Sequence, residues 1–191
     1  MKQLRLFLIL GAAVMSVNNA NAATISAGNI GATLTLSNGC LINGSPSQSG
    51  INFGTLDFGN NPATFGELTT QLSGTGVGGA GTAFTIQCTT TSYTVRITGN
   101  TNSATPGSTV GTPGATPRYL RTASNTQGIA YSVYNDSGFG TEIGNNTNIA
   151  RSSNANGIDS YTLYARIQGG GNSVTVLPGI YTDTLNVNVT Y

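Results

Sequence analysis

Apolar and polar residues alternate strictly along stretch after stretch of this chain, and few folds tolerate such a pattern. Phe84, Ile86 and Cys88 share one phase. Tyr93, Val95 and Ile97 share the next, with Thr94, Arg96 and Thr98 opposite. Ile129, Tyr131 and Val133 repeat it, as do Tyr161, Leu163, Ala165 and Ile167. At the end, Leu185, Val187, Val189 and Tyr191 alternate with Thr184, Asn186, Asn188 and Thr190. Successive side chains of a strand point to opposite faces, so each run predicts a half-buried strand with one wet face. No stretch has helical period. The chain is therefore predicted to be all-β, and strands broken by Gly, Pro and Asn turns point to a sandwich.

One run changes phase. In residues 51–58, Ile51 and Phe53 are odd whereas Leu56 and Phe58 are even, with Gly54 at the switch. A bulge or bend there would return both pairs to the core and let one segment serve both sheets at a corner. Three segments read as polar loops: Gly74–Gly81, Asn145–Gly157, and Asn100–Pro117, which carries Pro106, Pro113 and Pro117. Gly74–Gly79 matches G-x-G-x-x-G, but no helix follows and no βαβ unit surrounds it. It reads as a loop rather than a nucleotide site.

The first residues bear on compartment. Lys2 and Arg5 precede an apolar stretch from Leu6 to Val17, and Ala20-Asn21-Ala22 is a small-x-small cleavage pattern. This predicts a secretory signal peptide over residues 1–22, cut after Ala22. The apolar run is short for a membrane span. Of the seven basic residues, Lys2 and Arg5 lie in this leader. Arg96, Arg118, Arg121, Arg151 and Arg166 remain against six acids, a formal charge of −1. Nothing here makes a basic patch for a phosphate backbone, so nucleic acid is not an expected partner. Weak self-repulsion suits a protein that packs against copies of itself. Cys40 and Cys88 are the only cysteines. In an oxidising compartment such a pair reads as a disulfide, stabilising by about 4 kcal/mol on the chain-entropy argument. Two thiols with no histidine make a poor metal site.

Catalysis lacks its usual parts. The chain has no His, so no Ser/His/Asp or Cys/His arrangement exists. Asp57, Glu67, Asp136, Glu142, Asp159 and Asp183 are scattered, and there is no Trp to floor a sugar cleft. Neither an enzyme nor a cofactor is expected.

The N-terminal segment from Ala23 to Ser37 alternates too. Ile30, Ala32, Leu34 and Leu36 fall on one face, and Asn29, Gly31, Thr33 and Thr35 on the other. Either this is the first strand of the chain's own sandwich, or it serves another molecule. Thr24–Ser37 would span about 46 Å if extended, well beyond an ordinary strand of roughly 17–20 Å. That leaves room for a strand plus a linker.

Taken in order, several blocks resemble the spore coat U domain family, which includes the archaic (Csu-type) chaperone–usher pilus subunits. They are the alternation ending in Ser37-Asn38-Gly39-Cys40, then Phe53-Gly54-Thr55-Leu56-Asp57-Phe58-Gly59, Phe84-Thr85-Ile86-Gln87-Cys88, Ile129–Asp136, and Pro178–Tyr191. The Asn100–Pro117 insertion departs from the pattern. The resemblance implies a domain over residues 38–191 that is an incomplete immunoglobulin-like sandwich. It lacks its final strand and exposes an apolar groove, walled in part by Leu185, Val187, Val189 and Tyr191. It implies as partners a periplasmic pilus chaperone that fills the groove, an outer-membrane usher, and neighbouring pilin subunits. The donor strand would be residues 23–37, with Ile30, Ala32, Leu34 and Leu36 as its knobs. Burying the three large knobs would contribute about 5–9 kcal/mol before entropic costs. Export through the periplasm to a cell-surface pilus, and support of adhesion and biofilm formation, would follow. A tip or surface adhesin, a ligand-binding sandwich, and a spore or cell coat protein are the other roles that these features fit.

Overall fold

The alternating runs form ladders. The computed structural model describes residues 29–47, 49–74, 81–124, 126–170 and 176–191, and none of these is helical. The expected signal peptide over residues 1–22, the first part of the N-terminal segment and most of the Gly74–Gly81 stretch lie outside the described residues. The strands in chain order are β1 (Cys40–Ile42), β2 (Thr55–Leu56), β3 (Leu68–Ser73), β4 (Phe84–Cys88), β5 (Thr94–Asn100), β6 (Ser108–Val110) and β7 (Arg118–Arg121). They continue with β8 (Gln127–Tyr134), β9 (Thr147–Asn148), β10 (Ser153–Ala155), β11 (Ile158–Tyr161), β12 (Tyr164–Ile167) and β13 (Leu185–Thr190). One sheet has the order β1-β4-β11-β10. A second runs β2-β3-β12-β8-β6, with β7 also on β8, and a third runs β13-β5-β9. The protein is all-β, with its sheets packed as a sandwich. Ile86 and Phe84 of the first sheet, Leu72, Val133 and Ala165 of the second, and Val95 and Ile97 of the third meet in one core.

By its contacts the chain divides into Met1–Thr35 and Leu36–Tyr191. Of the first unit, residues 29–35 are described, and they belong to no strand. The strands above all belong to the second unit. A single strand without a ladder partner leaves its backbone groups to water, so alternation there does not make a strand by itself.

Cys40 and Cys88 face each other across the β1–β4 ladder, with Cα atoms 4.0 Å apart, and are bonded. Gly54 takes the positive φ of 113° that the phase change calls for. Its N–H donates to Asn52 Oδ1 at 2.8 Å, which fixes the bend. Ile51, Phe53, Leu56 and Phe58 all pack on the core as a result. Phe53 meets Phe84 of β4 edge-on at 5.1 Å, while Phe58 meets Tyr131 of β8 at 6.3 Å. The bend thus serves both sheets.

Besides the Asn145–Gly157 stretch, which holds β9 and β10 rather than a loop alone, three expectations need correction. The run Tyr161–Ile167 is not one strand. Its first part, β11, pairs with β4, and its second, β12, pairs with β3 and β8. The chain changes sheets at Thr162–Leu163 without losing phase, which is why the pattern reads as continuous. The Leu163 carbonyl accepts from Leu72 N–H at 2.8 Å at the crossing. Second, β8 has no wet face, since all eight of its residues are buried. Third, Asn100–Pro117 is not simply a loop. It contains β6, parallel to Gln127–Ile129 of β8, and Thr112 N–H donates to the Gln168 carbonyl at 2.8 Å. Pro106 lies against Gly128, and Gly114 against Ser132 and Glu142. The insertion covers the small-residue face of β8 that the alternation assigned to solvent. Arg118 follows it and is wholly buried, with Nη2 donating to the Ile143 carbonyl at 2.9 Å and to Asn145 Oδ1 at 3.0 Å. Burial lowers the pKa of this guanidinium.

Candidate functional site

β13 is an edge strand. Six residues pair with β5 on one side, and no strand among the described residues lies on the other. Alternation sets its two faces: Leu185, Val187 and Val189 are half-buried against the core, while Asn186, Asn188 and Thr190 are exposed. Tyr191 is 42% exposed at its end. The outward backbone groups of such an edge are a template for another strand.

Two cavities with apolar side chains in their linings lie beside β13 and beside the stretch of chain that leads into it. The smaller, about 380 Å³, lies between Leu185–Tyr191 and the segment carrying Ile51 and Phe53, with Ile42 of β1 beside them. The larger, about 870 Å³, has Leu56, Phe58 and Phe65 on one wall and Val176–Asp183 on the other. Leu68, Leu120, Ile129 and Ile167 also line it. Each wall is one stretch of chain. The Gly54 bend joins Phe53 to Leu56, and Asp183–Thr184 joins the larger cavity to β13.

Polar contacts hold the second wall in place. Asp183 accepts from Asn102 N–H at 2.9 Å, Thr184 N–H at 2.8 Å, Asn100 Nδ2 at 2.7 Å and Tyr131 Oη at 2.8 Å. Burial and the adjoining carboxylate push the Tyr131 hydroxyl pKa up, so it stays a donor. Thr182 exchanges both backbone bonds with Arg121, each at 2.9 Å. Gln127 Oε1 accepts from Leu177 N–H and Tyr181 Oη, both at 2.9 Å. Sequence pattern does not disclose this clamp, because Asp183 is there one scattered acid among six. An acid directly ahead of an alternating run is its only trace.

The other acids are likewise engaged in the fold. Asp57 Oδ1 caps Gly59 N–H, and Glu142 accepts from the Ala115 and Thr116 amides. Asp136 accepts from the Gly140 and Thr141 amides, which lower its pKa. Glu67 lies 3.8 Å from Arg166. Burial alone would raise the Asp159 carboxyl, but bonds from Tyr93, Asn154 and Arg151 outweigh it and hold the pKa below the usual range. Among the described residues, no three His, Cys, Asp or Glu side chains come together.

In the N-terminal segment, Ile30 is 99% exposed and Leu34 81%. Ala32 is exposed as well. Leu36, the first residue of the second unit, is 82% exposed. Exposure of this order is unusual for a row of large aliphatic side chains at alternate positions.

A family model for the Spore Coat Protein U domain matches residues 26–188. The chain belongs to this family. No curated protein matches it. The match begins ahead of Ile30 and ends inside β13. In this Spore Coat Protein U domain, therefore, the exposed segment and the first part of β13 fall within the same family unit.

Proposed function

We propose that this protein is a structural subunit of a secreted chaperone–usher pilus, supporting adhesion and biofilm formation. Residues 1–22 are the signal peptide, 23–37 the donor strand and 38–191 the pilin domain. The single observation that carries the reading is a complementary pair: an open strand edge beside cavities with apolar side chains in their linings, and an exposed row of apolar side chains with strand spacing. Strand addition gains affinity from backbone hydrogen bonds and specificity from alternate side chains in pockets. Ile30, Ala32, Leu34 and Leu36 are the knobs, and Leu185, Val187, Val189 and Tyr191 wall the acceptor groove. The domain alone is then an incomplete immunoglobulin-like sandwich.

The donor comes from another copy of the chain. Contact from segment to groove is head-to-tail and does not close on itself, so it builds a filament. Until filled, the groove is an aggregation hazard, which calls for a periplasmic chaperone before an outer-membrane usher exchanges it for the next subunit.

The test mixes two forms purified with the cognate chaperone. One lacks residues 23–37 and keeps its groove; the other keeps the segment and carries Val187→Asp. Each alone is expected to stay unassembled, and the mixture to give one-to-one dimers that stop there. Dimers or multimers of the truncated form alone would overturn the proposal.

A further inference from the structure

Where the N-terminal segment enters the domain, the fold is weak except for one covalent bond. β1 has three residues, and among the described residues the one strand it pairs with is β4. Its first rung is Cys40 opposite Cys88, and that rung is the disulfide. Just outside it, Thr89 N–H donates to the Gly39 carbonyl at 2.9 Å and Gly39 N–H to Thr89 Oγ1 at 3.0 Å. Past Cys88, residues 89–93 lead straight into β5, which pairs with β13 from Thr94 opposite Thr190 to Asn100 opposite Leu185.

We propose that the Cys40–Cys88 disulfide is a mechanical shunt, carrying tension on the N-terminal segment to β5 and the groove wall β13 and leaving residues 41–87 unloaded. The source of that tension rests on the pilus reading, in which each subunit is held by its segment on one side and its groove on the other. The shunt itself is a property of the single chain. Without the bond, a pull at Gly39 would open the β1–β4 ladder one rung at a time from Cys40. Short ladders opened from an end resist little, because each hydrogen bond is broken in turn rather than together. The pull would then pass to Ile51 and Phe53 in the core and on to Thr55, where the next ladder begins. With the bond, Cys40 cannot leave Cys88, and the load passes through five residues to the strand at the centre of the third sheet. Placement decides this. A bridge at the Ile42–Ile86 rung would give similar loop closure but leave the first rungs free to peel. The bypass spares β1, β2 and β3, and with them the Ile51–Phe58 wall of the two cavities, so stretching would not reshape the groove that holds the neighbour.

The test uses single folded molecules and needs no assembly. One handle is placed at the mature N-terminus and the other on a click-reactive residue replacing exposed Asn186 on β13. With the disulfide intact, smooth stretching of the N-terminal segment and no discrete step are expected before the main rupture. After reduction, confirmed by a thiol count, or in a folded C40S/C88S variant, an earlier low-force step of at most about 50 Å, the extended length of chain from Cys40 to Thr55, is expected. Should the bond resist reduction and the variant fail to fold, the first handle is moved to exposed Ser47 in the oxidised protein. That placement loads β1 from inside the closed loop, and a shorter early step, at most about 25 Å, is expected as residues 41–46 peel away until Cys40 stops them. A discrete early step in the oxidised, N-terminally held molecule would overturn the proposal. So would identical traces with and without the bond, or the absence of an early step from Ser47.

Discussion

β8 and β13 carry nearly the same message in sequence and meet opposite fates. Each sets three aliphatic or aromatic residues at alternate positions. Yet β8 is buried along its whole length, with β12, β6 and β7 as partners, while β13 has one partner and alternates between half-buried and exposed. The chain itself supplied what β8 needed: the Asn100–Pro117 insertion folds over Gly128 and Ser132. Nothing comparable among the described residues completes β13. The difference teaches that an alternating run specifies one face only. What covers the other face, and the free edge, must come from elsewhere in the chain or from another chain.

The sharpest way to break this comparison is to place a charge in each strand. Val133→Asp puts an unpaired carboxylate at a position with no solvent exposure. It is expected to cost more than about 4 kcal/mol and to leave no cooperative thermal transition. Val187→Asp reaches water from a half-buried site, so its cost to the domain is expected at about 0.5–3 kcal/mol. It should nevertheless abolish multimers in a gel of unheated samples. Equal losses of stability from the two variants would contradict the contrast between the strands.

A smaller effect tests how β8 is covered. A Cβ at Gly114 would lie 2.2 Å from Ser132 Oγ and 2.6 Å from the Glu142 carboxylate. Gly114→Ala is therefore expected to destabilise by about 1–3 kcal/mol, read as a lower denaturant midpoint, with multimer formation kept. An unchanged midpoint would mean that the insertion does not pack on β8 as described.

The smallest expected effect is on pH dependence. The folded Asp159 and Asp136 carboxyls have pKa values below their unfolded value near 3.8. Their contribution is present above that value and is lost as pH falls through the lower folded pKa. Melting temperature should therefore hold steady down to about pH 5 and fall below pH 4. In Asp159→Asn the acid limb should be shallower. A variant as acid-sensitive as the parent would remove Asp159 from the account.

Much of this was legible in the residues, for identifiable reasons. Strands with a clean two-residue period, such as β4, β5 and β13, announced themselves because one face of each meets the core. The Ile51–Phe58 bend was readable because apolar pairs in opposite phase can both reach the core only if the backbone bends or bulges between them, and Gly54 sits at that point. The cysteine pair was readable because each cysteine had only one partner to choose. What stayed hidden depends on contacts distant in sequence. β3, Leu-Thr-Thr-Gln-Leu-Ser, is an unremarkable run until β2 and β12 flank it. β7 begins and ends in Arg118 and Arg121, residues that hydropathy places outside and the fold places inside. β6 joins β8 in parallel, a pairing that no turn signal marks. The apolar face of β13 is legible from its period, but the placing of Val176–Asp183 depends on a clamp to Asn100, Asn102 and Arg121 that pattern does not reveal.

The central claim is that the exposed segment completes the open edge of another copy. The most direct measurement compares mature protein with and without residues 23–37, each purified from a periplasm with its cognate chaperone, on unheated denaturing gels and by size exclusion. The account predicts a ladder of heat-dissociable multimers from the intact chain and none from the truncated one, which stays folded as a chaperone-bound monomer. A stable intact monomer, with an unfolded chain when the segment is removed, would contradict it and return Ile30–Leu36 to the chain's own sandwich.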